Sequence, residues 1–238
     1  MPPPPPPPPT DRTRIRRKAD RGHYDTATIH AVLDEALICH VGFAIEGRPW
    51  VVPTAFARVD DDVYLHGATG NFALRALAGG AEACLTFTLL DGLVLARSAF
   101  HHSMNYRSVM AFARAEKVTD AGEKRAAVLA ILEHSLPGRS GGTRPPSDEE
   151  LRATLVVRVP VDEASAKVRS GPPVDDPADL DLPYWAGVIP LTLVAGDPEP
   201  DSVSRARDNG GDGEPAGWPR RRSSGVEESR GSKGQGAG

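Results

Sequence analysis

Between Ser98 and Val109 the chain reads Ser-Ala-Phe-His-His-Ser-Met-Asn-Tyr-Arg-Ser-Val, which packs imidazoles, hydroxyls, an amide, a phenol and a guanidinium into one short span. Apolar runs flank it: Leu85–Leu90 and Leu93–Ala96 before, Val109–Ala113 after. A donor-rich segment between buried strands must place its hydrogen bonds somewhere. A bound polar cofactor satisfies that need; so does a surface loop with ordinary capping contacts, and the residue types alone leave both open. Metal chemistry is not indicated. His101 and His102 are adjacent, so on an extended backbone they face opposite sides and do not share one ion. Cys39 and Cys84 each lie in an apolar run, with no Cys-x-x-Cys spacing, and read as small buried hydrophobes. No Ser/His/Asp nucleophile signature is present.

A second constellation is Tyr64-Leu-His-Gly-Ala-Thr-Gly-Asn71 followed by Arg75. It sets a strand end, a glycine-containing turn and a helix start in sequence. Backbone N–H groups at a helix start seat anions, and Arg75, one turn on, adds a charge-assisted bond. The spacing matches neither the Walker loop nor the Rossmann fingerprint. His66 closes the strand. Trp185, beside Pro183 and Tyr184, is either a core anchor or a stacking platform for a planar ring.

The elements that must position these groups are mostly strands. Apolar spacing predicts a helix over Thr28 to Cys39, capped by Thr26 or Thr28, and a strand over His40–Ile45. Trp50–Ala57 reads as a strand with an edge or bulge at Pro53, and Val63–His66 as the next strand. Phe72–Ala78 is a short helix. Asp91-Gly92 is a hairpin signal that separates strands Ala83–Leu90 and Gly92–Ser98. Val109–Val118 continues the sheet. Asp120 with Glu123 opens a helix that ends by Leu136-Pro-Gly138, and Ser147-Asp-Glu-Glu-Leu151 is a short capped helix. Leu155–Val161 is another strand, Asp162–Leu182 carries little order, and Trp185–Leu191 closes the fold. Strands at hairpin spacing with few helices make this mainly β with added helices, an antiparallel barrel or sandwich.

Composition bounds the function. Of 238 residues, the first ten include eight consecutive prolines, and the sequence from about residue 196 is rich in Gly, Pro, Ser and Arg. Neither end buries enough apolar surface to offset its ordering entropy. The expected organisation is a disordered tail over 1–23, a folded domain over 24–195 and a disordered tail over 196–238. The formal net charge of -4 gives no overall basic character, and the basic patches Arg12–Arg21 and Arg220–Arg222 fall in the tails, so nucleic acid is not an expected partner. No apolar run suits a signal or a bilayer span, which points to a cytoplasmic protein without a membrane.

Four segments taken together resemble the pyridoxamine 5'-phosphate oxidase-like flavin proteins, in the branch of flavin-nucleotide-binding and 5-nitroimidazole-resistance proteins. They are Tyr106-Arg-Ser-Val-Met-Ala-Phe112; Val63–Gly67 with Leu74–Leu77; Thr143-Arg-Pro-Pro-Ser147 with Glu150-Leu151; and Trp185-Ala-Gly-Val-Ile-Pro190. The resemblance implies an FMN-binding split β-barrel homodimer with flavin held noncovalently in clefts between subunits. It places His66 and Gly67 beside the flavin, His66 as the reactive histidine, and Arg75 on the phosphate. His102, Ser103, Tyr106, Arg107 and Ser108 line the cleft, with Arg107 or a backbone N–H near flavin N1, and Trp185 closes it. The implied activity is electron transfer from a reduced nicotinamide to a small acceptor such as a nitroaromatic. A non-catalytic flavin sensor is the alternative. Deazaflavin in place of FMN stays open, as does haem, with His101 or His102 as its ligand. The arginine-rich site of vitamin B6 oxidases is missing, and Asn71–Arg75 is less basic than in relatives.

Overall fold

A computed structural model describes residues 8–207. In chain order the elements are β1 (Gly22–His23), α1 (Thr26–Glu35), β2 (Cys39–Ile45), β3 (Arg48–Thr54), β4 (Phe56–Val59) and β5 (Asp62–Ala68). Then come α2 (Phe72–Ala78), β6 (Glu82–Leu95), β7 (Ser103–Arg114), β8 (Glu116–Lys117), α3 (Ala121–Ser135) and α4 (Asp148–Ala153). The rest are β9 (Thr154–Pro160), β10 (Ala164–Arg169), β11 (Gly187–Pro190) and α5 (Ser202–Arg207).

All strand pairs are antiparallel. The larger sheet runs β1-β10-β7-β6-β2-β3, with β11 also on β6, and the smaller runs β4-β5-β9-β8. The edge of β6 that faces away from β7 is shared: β2 pairs with its first half and β11 with its second. Glu46 (φ 51°) and Gly47 (φ 74°) close the β2–β3 hairpin with two successive left-handed residues, the geometry whose twist suits a two-residue turn.

The core lies between the two sheets and under α1 and α2, built on Leu33, Phe56, Leu65, Leu85, Phe87 and Val109. A second cluster joins α3 to the back of the smaller sheet through Ala57, Tyr64, Val118, Ala127, Ile131 and Val156. Because that sheet is covered on both faces, Val63–Leu65 and Leu155–Val157 are buried without alternation.

Several expectations need correction. The Asp91-Gly92 pair makes no hairpin. β6 passes straight through with a register shift there, because Asp91 is held by Arg107 and Gly92 lets β11 approach. A Cβ on Gly92 would stand 3.0 Å from the Ile189 carbonyl oxygen. Trp50–Ala57 is not one strand: the chain breaks at Ala55 and crosses to the other sheet. The α1 cap is Asp25, whose carboxylate accepts from the Thr28 N–H at 2.8 Å. Residues 162–182 contain β10, in register with β7 over six positions, and residues 103–108 are strand rather than loop. Residues 10–23 also belong to the fold. Arg12 lies over the Phe112 ring, 4.9 Å from its centroid, and pairs with Glu82 and Glu163, while β1 pairs with β10. The expectations for the proline run up to residue 7 and for residues 208–238 lie outside the described residues.

Candidate functional site

His66 stands on β5, paired with Val156 of β9, half-buried at the seam where β4 begins. Neither of its ring nitrogens has a partner among the described residues, and Nδ1 is fully buried. Burial pushes its pKa below the ordinary histidine value, so the imidazole is neutral at neutral pH. Gly67 follows because α2 leaves no room for a side chain. A Cβ there would fall 3.0 Å from Leu74 Cδ1 and 3.3 Å from the Asn71 amide nitrogen. Asn71 itself caps α2, accepting from the Leu74 N–H at 3.0 Å.

Two hollows meet beside this strand. The first, about 530 Å³, is lined by His66, Ala55 and Thr154, by Val128, Leu129 and Leu132 of α3, and by the loop through Thr143, Arg144 and Pro146. The Arg144 guanidinium is already satisfied there by Glu150, at 2.6 and 3.1 Å. That bond and the Ser147 N–H hold the Glu150 carboxyl down at about 2. The second hollow, about 390 Å³, shares Thr154 with the first and is lined by Thr69, Arg75, Lys117, Lys124 and Arg152. No carboxylate lines it, and none of its four cations is hydrogen-bonded or ion-paired through its side chain among the described residues. Unpaired cations in a concave, acid-free surface attract an anion.

The remaining expected residues lie elsewhere. Ser103, Tyr106, Arg107 and Ser108 are on β7, and His102 immediately precedes it. Trp185 precedes β11, two-thirds exposed. No hydrogen bond joins this set to His66, Gly67 or Arg75 within the described chain. Arg107 is engaged within the chain. Its guanidinium bonds Asp91 at 2.7 and 3.0 Å and chelates Glu35 at the end of α1, so it is not free to stabilise flavin N1. The two carboxylates raise its pKa further, and the arginine in turn lowers that of Glu35. Its work is to tie the β6 irregularity to α1.

The segment leading to Trp185 is anchored by Asp175. That carboxylate, 2% exposed, accepts from the Arg97 backbone N–H at 2.8 Å and from its guanidinium at 2.9 Å. Burial alone would raise its pKa; the Arg97 bonds outweigh that and hold it below the usual carboxylate range. A depressed folded value means the stabilisation is present above the unfolded pKa, about 3.9, and is lost as pH falls through the folded one. Acidification below about pH 4 is therefore expected to release residues 172–182 early. Hydrogen exchange across this segment reads the effect, and Asp175→Asn should reproduce it at pH 7. Equal exchange in the variant and the parent would refute the anchor.

The sequence points to His66 and Arg75, which line these hollows, and gives no sign of Lys117, Lys124 and Arg152, which join Arg75. Those three come from β8, α3 and α4, and no spacing rule links positions that only the tertiary fold brings together.

A family profile described as pyridoxamine 5'-phosphate oxidase matches residues 25–168. The chain is similar to the flavocytochrome Anf3 of Azotobacter vinelandii, at 42% identity and a TM-score of 0.76, covering 81% of this chain and 90% of that one. It is similar to the FAD- and haem-binding protein of Mycobacterium smegmatis, at 36% identity and a TM-score of 0.73, covering 76% and 89%. A candidate 5-nitroimidazole antibiotic resistance protein of Bacteroides thetaiotaomicron VPI-5482 is 31% identical with a TM-score of 0.53, covering 62% and 86%. Among curated protein sequences there is no significant match. The profile spans more than half of the chain, the first two structures align along most of it, and the paired antiparallel sheets form the split barrel: this chain belongs to the pyridoxamine 5'-phosphate oxidase family.

Proposed function

We propose that the protein is a flavin-dependent oxidoreductase, with the isoalloxazine in the His66 hollow and the phosphates in the adjoining cationic cleft. The observation that carries this reading is the junction at Thr154. A largely apolar hollow with one unpartnered imidazole shares Thr154 with a cleft lined by four cations and no acid, the cations and the imidazole having no side-chain partner among the described residues. A flavin nucleotide has the matching chemistry, a flat hydrogen-bonding ring joined to an anionic tail. When bound it supplies hydride and single-electron transfer, here between a reduced nicotinamide and a small acceptor such as a nitroaromatic. Arg75, Lys117, Lys124 and Arg152 hold the anionic end. The neutral His66 carries a proton on one ring nitrogen and accepts on the other, which suits passing a proton on rather than storing it.

The working unit in this reading is a homodimer. Val51, Leu90, Met104, Met110 and Ile189 are exposed on the larger sheet or its edge, a surface that a second copy would cover. The family resemblance sets flavin between subunits, so His102, Ser103, Tyr106, Ser108 and Trp185 serve from the second copy. FAD is the expected flavin rather than FMN, because the two relatives aligned along most of the chain include an FAD-binding protein and a flavocytochrome. A flavocytochrome and an FAD- and haem-binding protein as relatives favour a second cofactor, haem, in this protein too.

The test is the absorption spectrum and sedimenting mass of the purified full chain, followed by chromatography of the released chromophore. Flavin bands, FAD in the supernatant and a dimer mass are expected. A colourless protein that takes up neither FAD nor FMN overturns the reading. His66→Ala should lower turnover on the order of 100-fold while flavin is retained. Full turnover with every acceptor tried would end the proton role.

A further inference from the structure

The basic run Arg12–Arg21 reads in the sequence as a solvated tail, yet the fold holds it in place. Arg12 is pinned by Glu82 and Glu163 and lies over the Phe112 ring, and Thr13 is buried, 3% exposed. The Ile15 N–H donates to the Tyr24 hydroxyl at 3.0 Å, and Lys167 of β10 donates to the Arg17 carbonyl at 3.2 Å. Residues 14–21 carry five cations, Arg14, Arg16, Arg17, Lys18 and Arg21, against one acid, Asp20. None of the five has a side-chain hydrogen bond or ion pair among the described residues, whereas Arg12 beside them has two carboxylates. The segment lies before residue 25, where the family profile begins.

The cations are also set against one another. Arg169 on β10 is 8% exposed and has no carboxylate partner: its guanidinium donates to the Asn105 amide oxygen and to the Gly171 and Pro172 carbonyls. Burial and the nearby charge of Arg21 push its pKa down. Like charges gathered without acids cost the fold stability, and an anionic surface laid over them returns it. Register sets this patch beside the flavin cleft of the dimer reading. Lys167 stands opposite Ser108 and Arg169 opposite Tyr106, the β7 residues that serve the flavin from the second copy in that reading. Neighbouring strands are about 4.8 Å apart, so the basic surface borders that cleft.

The patch selects its partner. No aromatic residue interleaves with the five cations, and Ile15, the one large apolar side chain among them, is partly buried, so base stacking and bilayer insertion have no anchor. The whole chain is acidic, at -4, and an extended polyanion meets that charge as well as the patch. A compact acidic protein meets the patch alone, because screening confines the field to about 8 Å in physiological salt. Arginine forks take carboxylates bidentately. Resting on the flavin reading above, we infer that residues 14–21 with Lys167 are the docking surface for an acidic electron-carrier protein that reduces the flavin. The carrier is an electron source beside the reduced nicotinamide. Each encounter passes one electron to the flavin and oxidises the carrier by one; two encounters, with two protons from solvent, complete the two-electron reduction. Recognition by charge gives fast, salt-sensitive association and a small, short-lived interface.

The experiment compares the full-length parent with the quadruple variant Arg14→Gln, Arg16→Gln, Arg17→Gln, Lys18→Gln, after chromatography has measured the flavin content of both. The probe is an acidic [2Fe–2S] ferredoxin. Stopped-flow mixing with the reduced ferredoxin follows flavin reduction, and calorimetry with the oxidised form measures binding. The parent's association rate should fall steeply with salt. The variant's should be at least about tenfold lower at low salt and converge with it at high salt. Reduction by light and EDTA, which needs no docking, should match in the two proteins, as should far-UV circular dichroism. Ferredoxin that neither binds nor reduces the parent, or a variant as fast as the parent, overturns the proposal. A variant that purifies without flavin also overturns it, because the segment then serves the cofactor. So does a parent that ignores ferredoxin but captures a single-stranded oligonucleotide or phosphatidylglycerol vesicles in physiological salt. The flavin reading fails separately, in the flavin content of the parent. A flavin-free parent whose salt-sensitive ferredoxin binding is lost in the variant keeps the docking surface and removes only its electron step.

Discussion

Lys124→Glu together with Arg152→Glu is expected to leave the purified protein without flavin. Both side chains line the cleft, both lack a side-chain partner among the described residues, and neither is buried. Reversing them does more than delete two attractions. The new carboxylates sit opposite Arg75 and Lys117, neutralise them and repel an incoming phosphate. Hydrogen bonds to charged groups contribute about 1.5–3 kcal/mol each, so losing two weakens binding by roughly 100-fold to 10,000-fold. Titration of the flavin-free protein, followed by quenching of flavin fluorescence, measures it. Far-UV circular dichroism should not change, because neither residue packs in the core. Raising the salt should weaken the parent's binding and spare the variant's. Unchanged affinity in the double variant would remove the cleft from the flavin site.

Phe56→Ala is expected to cost about 3–5 kcal/mol, a large share of the roughly 5–15 kcal/mol that holds a domain together. Phe56 is the first residue of β4, where the chain leaves one sheet for the other, and it is fully buried. Its ring meets Phe87 edge-on at 4.8 Å and His134 at 4.6 Å, so a single side chain packs together the larger sheet, the smaller sheet and α3. The cavity left by alanine lies against β6, which is hydrogen-bonded on both sides and cannot collapse to fill it. A urea melt should show a lower midpoint at an unchanged slope. Phe100→Ala is the control: that ring is 90% exposed, and its loss should stay within about 0.5 kcal/mol. A cost below about 1 kcal/mol for Phe56→Ala would contradict the account.

Much of the architecture is legible in the chain because local chemistry writes it. Asn71, Asp120 and Ser147 each cap a helix at the position where a short polar side chain precedes an apolar period, and Ser147 with Glu150 completes a capping box. β10 is hidden for the opposite reason. Ala164-Ser-Ala-Lys-Val-Arg169 carries little apolar signal, and its partners, β7 along its whole length and β1 on the other side, come from far along the chain. Asp91-Gly92 reads as a turn because the sequence does not show that Arg107 will hold Asp91 in an extended strand. The site divides the same way. His66 and Gly67 are visible as a strand end meeting a helix start, whereas the cleft is assembled from residues about eighty positions apart. Charges that far apart in sequence converge only after β5, α2, β8, α3 and α4 are in place.

The order in which the larger sheet is completed sets when this protein becomes competent. Its β1 strand pairs with β10, and β11 pairs with the second half of β6, so both contacts join segments far apart along the chain. Pairings of that kind must close long loops before they return any stabilisation, which slows folding. During synthesis the chain can assemble β2 to β9 while the outer half of β6 still has an open edge, a template for pairing with another chain. β11 seals that edge and carries Trp185 in with it. Closing that edge thus also brings the Trp185 indole to its place before β11, and a nascent chain cut short of Gly187 would be both sticky and without it.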